Sequence, residues 1–437
     1  MRKIISALLC AAMMVSATAC SAGTADTAGS SGQGSKDPSG ASPTKITFWY
    51  AWTDKIQENN VNLAKQFNET VGKKKGIEVD AQYQGSYDDV HQKLQAAYVS
   101  GSTPAVSVME ISSIKRFAQN GVIEPLSPYI QQDGVDMNDI YQGLLQNCKV
   151  GDTWYGLPYL RSTPILYMNT TLLKKAGLDP SGPKNWGELA DYCKTIKEKT
   201  GAYGLSMYSY IWTLEAFFLE NGTSVLNKDE SATNLNTDQG KYVLKYFRDL
   251  IDKGDVRCVA GADSSKVDAD YMNQKCAMWF ASTANLSKTL SVAKQNHFEV
   301  NTCYIPKNVQ YGVPTGGCNL VMTTKISEKE KKAAWEFIKW MTDTEQSAYA
   351  SKYTGYVTSR KSATKTSTIQ DLYKTTPQFK VALDQLNDCS VGRPMNPGYT
   401  EASKELVNVM DAVWVNGADI DSTVAKEETK INQCLKG

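Results

Sequence analysis

Between Lys45 and Met109 the chain runs through three short apolar segments separated by two amphipathic ones, and this order constrains the fold more than anything else in the sequence. Ile46-Thr47-Phe48-Trp49-Tyr50 is rich in β-branched and aromatic residues, as a buried strand requires. A helix follows with Leu63, Ala64 and Phe67 on one face, and Gly76-Ile77-Glu78-Val79 begins a second strand. Tyr87 to Val99 is a second helix, with Val90, Leu94 and Ala97 together, and Ala105-Val106-Ser107-Val108-Met109 is a third strand. Strand, helix, strand, helix, strand is the rhythm of a parallel α/β sheet, in which ligands lie beyond the carboxyl ends of the strands.

A second unit begins near Trp154. Thr170 to Ala176 is a short helix stopped by Gly177, with Pro180 beyond it. Asn185 caps the next helix, which carries Trp186, Leu189, Ala190, Cys193 and Ile196 near one face and ends at Gly201. Val243, Tyr246, Phe247 and Leu250 mark another helix, Cys276 to Phe280 is strand-like, and one amphipathic helix is expected over about 329–350. With 437 residues the chain is too long for one small core and suits two lobes. Its formal net charge of +1 gives no electrostatic footprint for nucleic acid. Two His residues leave little for His-based catalysis or His-ligated metal, whereas 23 Tyr and 9 Trp supply flat faces for packing or for a hydroxylated ligand.

The first residues read as an export signal. Arg2 and Lys3 precede an apolar run from Ile4 to Val15, then Ala17-Thr18-Ala19 and Cys20. The run is too short for a stable membrane span. Cys20 directly after the cleavage point is the expected site of lipidation, although Ala17-Thr18-Ala19 also suits ordinary signal cleavage. The polar, Gly/Ser/Thr-rich stretch 21–44 cannot bury apolar area and is expected to be a flexible tether. The eight cysteines that follow Cys20 show no CxxC pair and no zinc spacing; Cys193 is expected to be a buried thiol.

Several segments in shared order resemble the extracellular solute-binding proteins of carbohydrate ABC importers, in particular their glycerol-3-phosphate-binding branch. They include Ile46-Thr47-Phe48-Trp49, Tyr83-Gln84-Gly85-Ser86-Tyr87, Leu157-Pro158-Tyr159 and Ser162-Thr163-Pro164-Ile165-Leu166-Tyr167-Met168-Asn169. Lys174 to Pro180, Cys276-Ala277-Met278, Thr315-Gly316-Gly317, Thr354-Gly355-Tyr356 and Gly392-Arg393-Pro394 continue the series. The resemblance implies an α/β, two-lobed periplasmic-binding-protein-like fold that closes on its ligand about a hinge. By analogy residues 1–19 are a signal peptide, 20–44 the lipidated Cys and tether, 45–160 and 303–348 lobe one, and 161–302 and 349–437 lobe two. It further implies a monomer anchored on the outer face of a bacterial membrane, handing a small solute to ABC permease subunits. The solute is a sugar or polyol phosphate such as glycerol-3-phosphate; a neutral mono- or oligosaccharide is the alternative.

Matched to that branch, the candidate ligand residues are Tyr87, Glu110, Ser162, Tyr208, Trp212, Ser282, Thr283, Gly316, Gly317, Tyr356 and Arg393. Glu110 ends a strand, where a carboxylate accepts two hydroxyl hydrogens or simply faces solvent. Ser162, Ser282 and Thr283 offer small hydroxyls. Gly316 and Gly317 let backbone approach a ligand, or form an ordinary turn. Tyr208 stands where the branch has Trp, and Trp212 four residues on is the substitute stacking residue. Arg161 departs from the branch; beside the hinge, it is expected either to join Arg393 in offering forked donors to an anion or to form a salt bridge. No catalytic pair, cofactor or metal is expected. A glycosidase needs a second acid in a matching context to partner Glu110, and Asp88-Asp89-Val90-His91 on a helix does not face one point. Neither a G-x-S-x-G elbow nor a Walker A loop occurs.

Overall fold

The computed structural model describes residues 42–436. The expected signal peptide, Cys20 and most of the expected tether lie outside the described residues. The chain first builds β1 (Thr44–Tyr50), β2 (Ile77–Tyr83), β3 (Val106–Glu110) and β4 (Leu157–Ser162). It then crosses to β5 (Pro164–Asn169), β6 (Tyr203–Tyr208), β7 (Val256–Val259), β8 (Cys276–Ser282) and β9 (Val300–Cys303), and returns as β10 (Gly316–Met322). One five-stranded sheet has the order β2-β1-β3-β10-β4, the other β9-β5-β8-β6-β7. In the first, β1 lies parallel to β2 and β3, while β10 runs antiparallel to β3 and β4. The parallel rhythm read from 45–109 is therefore present, and the antiparallel strand is the one that returns from the other lobe.

Local chemistry sets the elements that carry the cleft. The helix Tyr87–Ser100 starts in a capping box: Asp89 N–H donates to Ser86 Oγ at 3.3 Å and Ser86 N–H to the Asp89 carboxylate at 2.8 Å. That fixes Tyr87 on the first turn, just past β2. Gly177 and Gly201 stop their helices at φ +76° and +77°, as the sequence predicts. The helix expected over 329–350 is instead two, Glu328–Met341 and Thr344–Thr354, because Asp343 caps the second through Thr344 N–H at 2.7 Å. Across the first sheet Phe337 meets Phe48 and Phe67 edge-on at 5.3 and 5.1 Å between ring centroids. Each such fully buried ring contributes roughly 1.5–3 kcal/mol.

The chain passes between lobes three times: at Thr163 between β4 and β5, between β9 and β10, and after Val391. At the third, Arg393 N–H donates to Asn147 Oδ1 of lobe one at 2.9 Å, while the Asn396 amide donates to Glu230 O and Leu435 O of lobe two at 2.9 and 3.0 Å. Each crossing contains a proline, Pro164, Pro314 or Pro394, which fixes φ and restricts how the strand can bend. The packing divides the chain differently from the expected 349–437. Ala350, Tyr356, Val357, Ala382, Leu383 and Leu386 join the core around the first sheet, whereas Phe379 joins a core of the second. The apolar face of Gln378–Cys389 is split between the lobes, so that helix spans the back of the hinge; from Tyr399 on, the buried apolar residues lie in the lobe-two core. Strand β9 likewise pairs with β5, so the expected start of the lobe-one return at residue 303 moves to β10. The eight cysteines among the described residues are free, and Cys193 is buried, its thiol pushed up by that burial.

Candidate functional site

A cavity of about 630 Å³ opens between the lobes, within the roughly 300–1,000 Å³ usual for small-molecule sites. It sits at the carboxyl ends of β3, β6 and β8, marked by Glu110, Tyr208 and Ser282. Tyr87, Ser162, Trp212, Gly316, Gly317, Tyr356 and Arg393 complete the group of sequence candidates lining it. Arg161 and Thr283 do not line it.

Arg161 is a brace of the hinge. It is fully buried, and its guanidinium donates to Gly316 O at 2.9 Å, Leu144 O at 2.8 Å, Asn319 Oδ1 at 3.1 Å and Thr315 Oγ1 at 3.0 Å. These acceptors fix the first crossing to the second, so the expected Arg161–Arg393 fork does not form; burial also pulls the guanidinium below its ordinary value. Thr283 is fully buried too, its N–H bonded to Thr163 O at 3.2 Å. Gly316 and Gly317 lie at the cavity, but protein fills the space a side chain would need. A Cβ on Gly316 would come within 2.4 Å of the Trp212 indole, and one on Gly317, at φ +91°, within 1.9 Å of Leu160 O. Their missing side chains serve packing at the second crossing.

Arg393 draws the two lobes to one point. Its Nη1 donates to Glu110 of lobe one at 2.8 Å; Nε and Nη2 donate to Glu215 of lobe two at 3.0 and 2.8 Å. Tyr399 adds its hydroxyl to Glu215. Burial alone would lower the Arg393 guanidinium, but the Glu215 and Glu110 carboxylates outweigh it and hold it well above its ordinary value. Every cation of the cleft is paired: Lys55 with Glu58 at 2.6 Å, Lys288 with Asp54 across the rim at 3.2 Å, and Arg393 with two carboxylates.

The walls are aromatic. Tyr208 and Tyr210 stack at 5.3 Å and 19°, and Trp212 meets Tyr210 edge-on at 6.3 Å. Trp212 Nε1 is taken by Thr315 O at 3.1 Å, which leaves its ring as the usable surface. Opposite, Trp52 meets Tyr87 edge-on at 5.2 Å. Trp52 holds φ +70°, a costly conformation for a bulky residue, fixed by its N–H bond to Gly85 O at 2.9 Å. Burial pushes the Tyr210 hydroxyl up to about 12, so these phenols are neutral donors at physiological pH. Flat faces beside fixed acceptors suit a ligand with apolar ring faces and hydroxyl edges.

The sequence profile described as "Bacterial extracellular solute-binding protein" matches residues 62–380. The chain belongs to this family. This solute-binding protein is 26% identical over 363 residues to the sn-glycerol-3-phosphate-binding periplasmic protein UgpB of Escherichia coli strain K12, covering 78% of this chain and 80% of that protein. Its fold matches UgpB from Mycobacterium tuberculosis, solved with glycerophosphocholine, at TM-score 0.80 and 24% identity over 91% of this chain and 99% of that one. It also matches the GacH receptor of Streptomyces glaucescens, solved with acarbose, at TM-score 0.80 and 20% identity over 90% and 99%.

Sequence reading of this solute-binding protein missed Trp52, Tyr210, Trp279, Asp268 and Glu215. Trp52 follows the carboxyl end of β1, and Trp279 lies in the expected strand 276–280, so both were placed where a ligand residue belongs. Glu215 had a sharper signal, as a lone charge amid Ile-Trp-Thr-Leu-Glu-Ala-Phe-Phe-Leu, buried to 3% exposure. Asp268, on the helix Ser264–Met272, carries no local signal.

Proposed function

We propose that this chain is the lipid-anchored receptor of an ABC importer, exported and held by Cys20 on the outer face of the membrane. It captures a sugar or polyol phosphate of the glycerol-3-phosphate type and releases it to the permease, acting as a monomer without chemistry of its own. The observation that carries this reading is Arg393, a guanidinium in an aromatic-walled cleft that reaches carboxylates on both lobes. Nη1 and Nη2 each carry a second N–H beyond those given to Glu110 and Glu215, a pair of donors of the kind that recognises a phosphate. The names of the relatives support the same ligand class: glycerol-3-phosphate for the Escherichia coli protein, glycerophosphocholine for the mycobacterial one. Because Glu110 and Glu215 sit on different lobes, ligand contacts made through this group exist together only when the lobes are near, and binding shifts the population toward closure.

A neutral saccharide is the second reading, favoured by one observation: the charge of Arg393 is already balanced by two carboxylates. Thermal shift on the protein lacking its leader, with glycerol-3-phosphate, glycerophosphocholine and a panel of neutral sugars, separates them. A ligand at about 100 times its Kd stabilises by about 2.7 kcal/mol. A shift with the phosphates alone supports the first reading; a shift with a neutral sugar alone replaces it with the second.

A further inference from the structure

One carboxylate of the cleft has no partner. Asp268 projects from the helix Ser264–Met272 into the cavity wall, half-buried, and among the described residues no donor hydrogen-bonds it and no cation pairs with it. Its neighbours on that helix are engaged differently: Asp270 bonds Ser206 Oγ at 3.0 Å and pairs with Arg257 on the far side. Tyr208 packs against the core that holds Val267 and Tyr271 of the same helix, and Asp268 lines the same cavity as the Tyr208–Tyr210 stack. Burial pushes its carboxyl up, opposed by Lys288, whose ammonium is bonded to Asp54. The cleft therefore combines paired cations, an unpaired acid and aromatic faces.

We infer that Asp268 is a specificity-determining residue that receives a positively charged nitrogen, so that the solute is a hydroxylated molecule bearing an amine or quaternary ammonium group. An unpaired carboxylate in an aromatic enclosure supplies the two attractions a cation uses, charge and the negative face of a π system. A neutral hydroxyl would use only one lone pair of that carboxylate and leave its charge uncompensated in a partly dry site. The inference rests on the receptor reading above and narrows its ligand class. Within the first reading it selects a glycerophosphodiester with a cationic headgroup; within the second it replaces the neutral saccharide with an amino sugar.

Titration calorimetry on the leaderless protein compares glucosamine with glucose, and glycerophosphocholine with glycerol-3-phosphate, in wild type and in Asp268→Asn and Asp268→Glu. At least one amine-bearing probe is expected to bind about tenfold more tightly than its amine-free counterpart, which is about 1.4 kcal/mol. In Asp268→Asn that preference is expected to vanish while the thermal midpoint without ligand stays within a degree or two, because no hydrogen bond is lost; Asp268→Glu keeps part of it. The source is told by which pair shows the preference. Equal binding of amine-bearing and amine-free probes, or a preference that survives Asp268→Asn, overturns the inference and leaves the receptor reading standing. No binding by any of the four, nor by the neutral sugars above, overturns both.

Discussion

Replacing Arg161 with Ala separates hinge from ligand site. The substitution strips donors from four buried acceptors, Gly316 O, Leu144 O, Asn319 Oδ1 and Thr315 Oγ1, on two segments of chain. A buried acceptor left unpaired costs about 1–3 kcal/mol. The Cys148 thiol, 3.4 Å from Asn319 Oδ1 and 3.2 Å from Leu144 O, or water entering the vacated space re-pairs one of the four. Counting about 1 kcal/mol for each acceptor and allowing one to rehydrate gives a loss of about 3 kcal/mol. Arg161→Lys keeps the charge but not the fork, and is expected to lose about half as much. Urea unfolding reads the stability change as a lower midpoint at unchanged slope. Ligand affinity, measured well below the midpoint, is expected to stay within about threefold, since the guanidinium does not reach the cavity. Unchanged stability with lost binding would refute the assignment of Arg161 to the hinge.

Three further substitutions test the neighbouring groups. Arg393→Ala leaves Glu110 and Glu215 without their cation and is expected to cost about 3–5 kcal/mol of stability along with ligand binding; a variant as stable as wild type would show that the triad does not hold the lobes. Gly317→Ala, which places a Cβ 1.9 Å from Leu160 O at φ +91°, is expected to lower the thermal midpoint far more than Gly177→Ala, where nothing lies within 4 Å; equal effects would show that strain alone governs both. Glu220 is fully buried with both carboxyl oxygens unbonded, and burial raises its pKa well above the ordinary value. Because the folded state prefers the protonated form, wild type loses stability as pH rises above the unfolded value near 4.3, with a limiting slope of about 1.4 kcal/mol per pH unit. Glu220→Gln is expected to remove that slope, so its midpoint exceeds that of wild type by an amount that grows as pH rises above the unfolded value; a constant difference would sink the argument.

The first lobe was legible because β3 reads as a continuous apolar run, Val106 to Met109 being buried at every position, and β1 and β2 alternate buried with more exposed residues. Helix ends were legible where the chain supplies chemistry for them, as at Asn185, Gly177 and Gly201. The lobe boundary was not. The helix Gln378–Cys389 looks like any amphipathic helix, yet its apolar face meets two cores, and no periodicity distinguishes one partner from two. The site was legible at strand ends, where topology alone brings side chains together: Glu110, Tyr208 and Ser282 arrive at one cavity because β3, β6 and β8 end there. Asp268 was invisible, since a helical Asp four residues past the helix start reads as solvated surface until the opposing wall is known.

Arg161 and Arg393 show why a hinge protein hides its ligand residues among its structural ones. Both are basic, both lie beside a crossing, and both are almost completely buried, with every guanidinium nitrogen bonded. The difference is what they bond. Arg161 meets four neutral acceptors, two main chain and two side chain, none of them a carboxylate that a ligand's anion would replace. Arg393 meets two carboxylates on separate lobes, one of which must be surrendered when the lobes part. A guanidinium that gives up an ion pair on opening has something to gain from a ligand that replaces it, and a guanidinium that holds no ion pair has not. The distinction lies in the partners, which come from 178 and 283 residues away in the chain for Arg393, and so it is written in the fold and not in either residue's neighbourhood.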